Sequence, residues 1–108
     1  MNMMLIVLTT VPTFEEAGQL AEKIVNGKLA ACVQILPQMT SVYFWEGAVQ
    51  KEPEHLLLIK TLPEKFDELS AFITTSHSYD VPEIIAINAE KVSRPYLLWM
   101  KEMLQSEK

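Results

Sequence analysis

Apolar residues, several of them β-branched, fill most positions from Met4 to Val11, which predicts a strand that Pro12 stops. Thr13, followed three residues later by Glu16, has the spacing of a capping box and opens a helix at Phe14. Phe14, Ala17, Leu20, Ala21 and Ile24 then recur at helical period, and Gly27 suits the C-terminal stop. Leu29 through Ile35 predicts a second strand, interrupted at Pro37-Gln38. Strand character resumes over Thr40–Val49, where Val42 and Phe44 alternate with Tyr43 and Trp45. The polar residues Gln50–Glu54, Pro53 among them, predict the turn of a long hairpin, with His55–Thr61 as its return strand. Pro63 starts a second helix with Phe66, Leu69 and Ile73 on one face. Glu83–Ala89 predicts a last strand, and Pro95 opens a terminal helix carrying Leu97, Leu98, Trp99, Met103 and Leu104.

The order β-α-β-β-α-β plus a helix is an α+β pattern, the ferredoxin-like split βαβ sandwich with a long hairpin and an extra C-terminal helix. Its two main helices belong on one face of an antiparallel sheet. Yet Leu5–Leu8, Leu56–Ile59 and Ile84–Ile87 are apolar at consecutive positions, so both sheet faces need cover. The chain has too little left for the second face, which predicts a homo-oligomer.

At 108 residues and 49% hydrophobic, residues 1–108 read as one globular domain. The net charge is −5 and Arg94 is the only arginine, which argues against nucleic-acid binding and against guanidinium phosphate clamps. Cys32 is the only cysteine; it closes no intrachain disulfide and points to a reducing, cytoplasmic setting. Met1-Asn2-Met3-Met4 carries no basic side chain, and the apolar run behind it is too short to span a bilayer, so no membrane association is expected. With three glycines, and no nucleophile elbow, phosphate loop or H-E-x-x-H, the sequence predicts a protein that is not an enzyme.

One segment concentrates chemistry. His77-Ser78-Tyr79-Asp80-Val81-Pro82-Glu83 puts an imidazole, a phenol and two carboxylates into a turn that leads into an apolar strand. Pro82 stiffens the approach by fixing its own φ and extending Val81. Polar groups held on a rigid backbone at a strand end suit a site.

This segment, with Thr9-Thr10-Val11-Pro12, Lys28-Leu29-Ala30-Ala31-Cys32-Val33, Ser41-Val42-Tyr43-Phe44-Trp45-Glu46-Gly47, Leu57-Leu58-Ile59-Lys60-Thr61 and Pro95-Tyr96-Leu97-Leu98-Trp99, resembles the CutA divalent-ion tolerance family. Each motif is weak alone; all of them in order are specific. Ser78 and Asp80 depart from the proline and glutamate the family commonly has there. The resemblance implies a homotrimer of ferredoxin-like subunits whose hairpins cross between neighbours. It also implies a link to divalent-metal tolerance, with Cu2+ as the metal and binding that is not tight. The trimer's similarity to PII signalling proteins implies a rival role, a regulatory module with a small molecule or protein in its inter-subunit clefts.

Cys32 offers a soft thiolate and His77 an imidazole, both suited to copper or zinc, although nothing local in the sequence makes a chelate. On the metal reading Cys32, His77 and Glu83 are the ligands, with Tyr79 and Asp80 orienting them. The competing readings are a buried structural cysteine and a histidine bonded to backbone near a helix end. Glu83 at the start of an apolar strand needs a partner, and Lys60 either pairs with it or escapes along its methylenes to the sheet edge. Tyr43 and Trp45 share one strand face, as a pocket floor with Lys60 and His77 or as a subunit interface. Met1, Met3 and Met4 read as initiator and strand core before a thioether copper cluster. His55 reads as exposed.

Overall fold

The computed structural model describes residues 3–105, so Met1 of the methionine reading lies outside the described residues. The elements follow in the order β1 (Met4–Val11), α1 (Phe14–Asn26), β2 (Cys32–Ile35), β3 (Met39–Trp45), β4 (Ala48–Thr61), α2 (Phe66–Ser76), β5 (Ile85–Ala89) and α3 (Arg94–Gln105). A 3-10 turn over Pro63–Lys65 leads into α2. The strand order is β2-β4-β1-β5, with β1 antiparallel to both β4 and β5. Since β2 is also antiparallel to β4, β1 runs parallel to β2, and β4 to β5. Each helical crossover therefore straddles one strand, as the split βαβ pattern predicts.

α1 begins where the sequence puts it, with the Thr13 hydroxyl accepting the Glu16 N–H at 3.1 Å. It buries Ala17, Leu20 and Ile24 against Leu5, Val7 and Val11 of β1, Leu57 and Ile59 of β4, and Leu69 and Ile73 of α2. The opposite sheet face is only partly covered. Leu97, Met100 and Leu104 of α3 pack with Met4 and Leu62, and Ile6 and Ala89 lie against that cluster. Ile85 and Ile87, the cross-strand partners of Leu8 and Ile6, stay 49% and 48% exposed. The expectation of a second, under-covered apolar face thus holds for one end of the sheet, while α3 closes the other.

The hairpin differs from expectation. Its turn is the two-residue Glu46-Gly47, with φ of 49° and 81°, and not Gln50–Glu54, which are strand residues of β4. Two successive positive φ values match the twist of antiparallel strands, and glycine takes the second at no steric cost. Pro53, read as a turn residue, sits opposite Thr40 in a two-stranded arm, where a strand with a free edge tolerates proline. β2 and β3 run along one side of β4, out of step by one residue. Leu36, Pro37 and Gln38 oppose only His55 and Leu56, which is a bulge that bends the edge. Past this bend Val42, Phe44, Trp45 and Val49 are each more than 60% exposed.

The added Cβ of Gly47→Ala meets open space, so its cost is purely conformational. Thermal unfolding should register a loss of roughly 1–2 kcal/mol, while Glu46→Asn should leave stability level or higher. An unchanged Gly47→Ala melt would contradict the assigned turn.

Candidate site in the His77–Glu83 turn

α2 ends at Ser76, and the His77 N–H still closes on the Ile73 carbonyl at 2.9 Å. The His77 side chain then turns inward and is fully buried. Its Nδ1 faces the Tyr79 backbone N–H at 3.0 Å, and its Nε2 faces the Thr10 carbonyl at 2.7 Å. A backbone N–H can only donate and a carbonyl only accept, so the proton resides on Nε2. Both nitrogens are engaged, and His77 holds the turn to β1.

Ser78 supplies a second tie. Its N–H and hydroxyl donate to the two carboxylate oxygens of Glu16, at 3.1 and 2.9 Å. Glu16 is the glutamate of the capping pattern, so one half of that pattern caps α1 and the other reaches across to the turn.

Tyr79 supplies the third. Its ring lies 4.7 Å from that of His77, and its hydroxyl donates to Glu54 at 2.7 Å. The other Glu54 oxygen accepts from the Ser41 hydroxyl at 2.6 Å. Glu54 is 8% exposed, and a carboxylate so buried requires such donors. Burial first, then the bond to the Glu54 carboxylate, hold the Tyr79 phenol far above its ordinary range; Tyr43 and Glu16 add to the effect.

The remaining turn residues face solvent. Asp80 and Glu83 are exposed, and Val81 is 89% exposed. β5 starts at Ile85, two residues later than expected, so Glu83 precedes the strand and needs no buried partner. Lys60 does not pair with it. The Lys60 ammonium stands 5.7 Å from the centre of the Tyr96 ring, next to Cys32, its cross-strand partner. Burial first, and the adjacent Cys32 sulfur second, raise the Tyr96 hydroxyl above its usual range. His55 is buried rather than exposed: its Nδ1 meets the Leu36 carbonyl at 3.0 Å, and its ring meets Phe14 edge-on.

The sheet register sorts the candidates into two groups. Cys32 and Lys60 are level with Ile6, whereas His77 bonds at Thr10 and Glu83 leads into Ile85, the partner of Leu8. Four residues of strand, roughly 13 Å, separate the two levels along β1. Among the described residues no three His, Cys, Asp or Glu side chains converge as a metal site. Tyr43 lies near Tyr79, and Trp45 is 62% exposed beside the hairpin turn, at the opposite end of β4 from Lys60. Sequence reasoning missed Glu54, Ser41, Glu16 and Tyr96. Only the pairing register would have moved Glu54 from an imagined turn to a buried junction.

The profile of the CutA1 divalent ion tolerance protein family matches residues 5–103. The chain is 45% identical over 97 residues to the chloroplastic Protein CutA 1 of Oryza sativa subsp. japonica, covering 90% of this chain and 55% of that protein. It spans about half the length of that relative. It is 43% identical to the Divalent-cation tolerance protein CutA of Thermus thermophilus, covering 90% of this chain and 94% of that one. The crystal structure of CutA1 from Oryza sativa superposes with a TM-score of 0.92 at 44% identity, covering 94% of this chain and 93% of that one.

The alkaline limb of stability should report Tyr79. Its folded-state pKa is raised, so the native state holds this proton more tightly than the unfolded chain. That contribution is complete below the unfolded value near pH 10 and is lost as pH rises above it. Denaturant unfolding between about pH 9 and 11 should therefore fall more steeply for the wild type than for Tyr79→Phe. Parallel curves would contradict the raised pKa.

Proposed function

The chain belongs to the CutA1 divalent ion tolerance family, and from that premise we propose that it serves divalent-cation tolerance as a cytoplasmic homotrimer that binds Cu2+ reversibly and catalyses no reaction. The observation that carries the assembly is the uncovered end of the second sheet face, where Ile85 and Ile87 are half exposed. The chain also extends an arm whose Val42, Phe44, Trp45 and Val49 have no cover of their own. Apolar surface on this scale marks an interaction face.

For the metal, the donors stand at two levels of one subunit, so the site would be completed between chains. Cys32 of one subunit supplies the soft thiolate that copper favours, and Glu83 of a neighbour a carboxylate. His77 joins through Nδ1 only by releasing the Tyr79 N–H, with Tyr79 and Asp80 steadying the turn. The second reading is a PII-like cleft that takes a small anionic molecule. The Lys60 ammonium beside Tyr96 and Cys32 favours it, with Tyr43 and Trp45 of an adjoining arm as the wall.

Light scattering of dilute protein should give about three times the 12.3 kDa chain mass. Trp45→Ala should weaken the assembly by a few kcal/mol, as truncating a buried interface tryptophan does. A folded monomer would remove the interface role of Trp45.

Calorimetric titration should show copper bound more tightly than nickel, cobalt or manganese. Cys32→Ser and Glu83→Gln should each weaken copper by about tenfold or more, the 1.4 kcal/mol that distinguishes a ligand from a bystander. Unchanged isotherms in both variants would remove the metal reading. A thermal shift with small anions, abolished by Lys60→Ala, would then favour the cleft.

A further inference from the structure

Among the described residues the β3–β4 arm pairs with nothing else beyond Glu54, because β1 reaches β4 only as far as His55. The direction of the arm is therefore set at its base. Two devices act there. One is the bulge at Leu36–Gln38, where the Leu36 carbonyl meets the His55 ring and the Leu36 N–H donates to the Leu56 carbonyl at 2.9 Å. The other is Glu54, held by Ser41 from within the arm and by Tyr79 from the turn, through separate oxygens.

Tyr79 in turn is fixed by its neighbours. His77 binds its N–H and Thr10, and Ser78 binds Glu16. Hydrogen bonds thus run from the first turn of α1, through residues 77–79, to Glu54 and into the arm at Ser41. A buried carboxylate that loses one donor is left with an unmet charge, so opening either bond weakens the hold of Glu54 on the element across from it.

We infer that Ser41, Glu54 and Tyr79 form a latch that couples the seating of the β3–β4 arm to the order of the 77–83 turn. Whatever engages the arm, a neighbouring subunit included, tightens the turn. Whatever binds or displaces the turn shifts the arm. The coupling follows from contacts within one chain and stands whether or not the turn binds copper. By linkage it acts in both directions with equal strength.

Reciprocity supplies the test, read by amide hydrogen exchange on the 108-residue chain in the assembly state it adopts in solution. Tyr79→Phe keeps the ring and removes one bond on the turn side; Ser41→Ala removes one bond on the arm side. Tyr79→Phe should speed exchange across arm residues 40–45 and 48–52, and Ser41→Ala should speed it at the bonded turn amides of Ser78 and Tyr79. The change should approach tenfold, as for a lost hydrogen bond to a charged group. The core amides of β1 should be unchanged in both. If each variant loosens only the element that carries it, the latch does not couple them. If Tyr79→Phe loosens β1 as well, Ser41→Ala alone decides: a quiet turn in that variant overturns the inference.

Discussion

β4 runs for fourteen residues, and the strands around it divide that length in two. His55–Thr61 pair with β1, and Ala48–Glu54 pair, among the described residues, with β3 alone. The change of partner falls between Glu54 and His55, one side chain looking toward the arm and the next into the body. The structure gathers its polar contacts at this step. Phe14 opens α1 against His55, the Leu36 carbonyl binds the same ring, and Tyr79 and Ser41 hold Glu54. A strand that outruns its sheet needs its direction fixed somewhere, and a bulge with a buried carboxylate beside it does so.

The same geometry explains why the chain reads as part of an assembly. Its first sheet face is closed by α1 and α2, and the second is closed at one end by α3. What remains is apolar on the sheet and apolar on the arm, and the proposed homotrimer rests on these two surfaces. Of the candidate chemistry, the turn that carries Asp80 and Glu83 leads into the exposed strand β5, whereas Cys32 and Lys60 sit beneath Tyr96 of α3.

Ser78 ties the turn to α1: it donates both its N–H and its hydroxyl to Glu16. A proline in its place would have neither donor, so this tie depends on the serine. His77 and Tyr79 do the remaining work of fixing the turn, and any ligand role for His77 must displace a bond it already makes.

The sequence by itself determined what short-range physics controls. Thr13 and Gly27 bound α1, the apolar periodicity of α1 and α2 gave the helix layer, and the motif order gave the family. Doubly apolar strands marked a second apolar face, which α3 covers at one end only. Tertiary structure decided the rest, because strand register is a long-range property. Pro53 and its polar neighbours imitate a turn locally, but pairing with β3 makes them strand and moves the turn to Glu46-Gly47. That shift carries Glu54 from solvent to a buried junction, where Tyr79, 25 residues away, can reach it. Cys32, His77 and Glu83 looked like one donor set on paper. The sheet holds Cys32 level with Ile6 and His77 level with Thr10, and only the register of β1 with its neighbours could separate them.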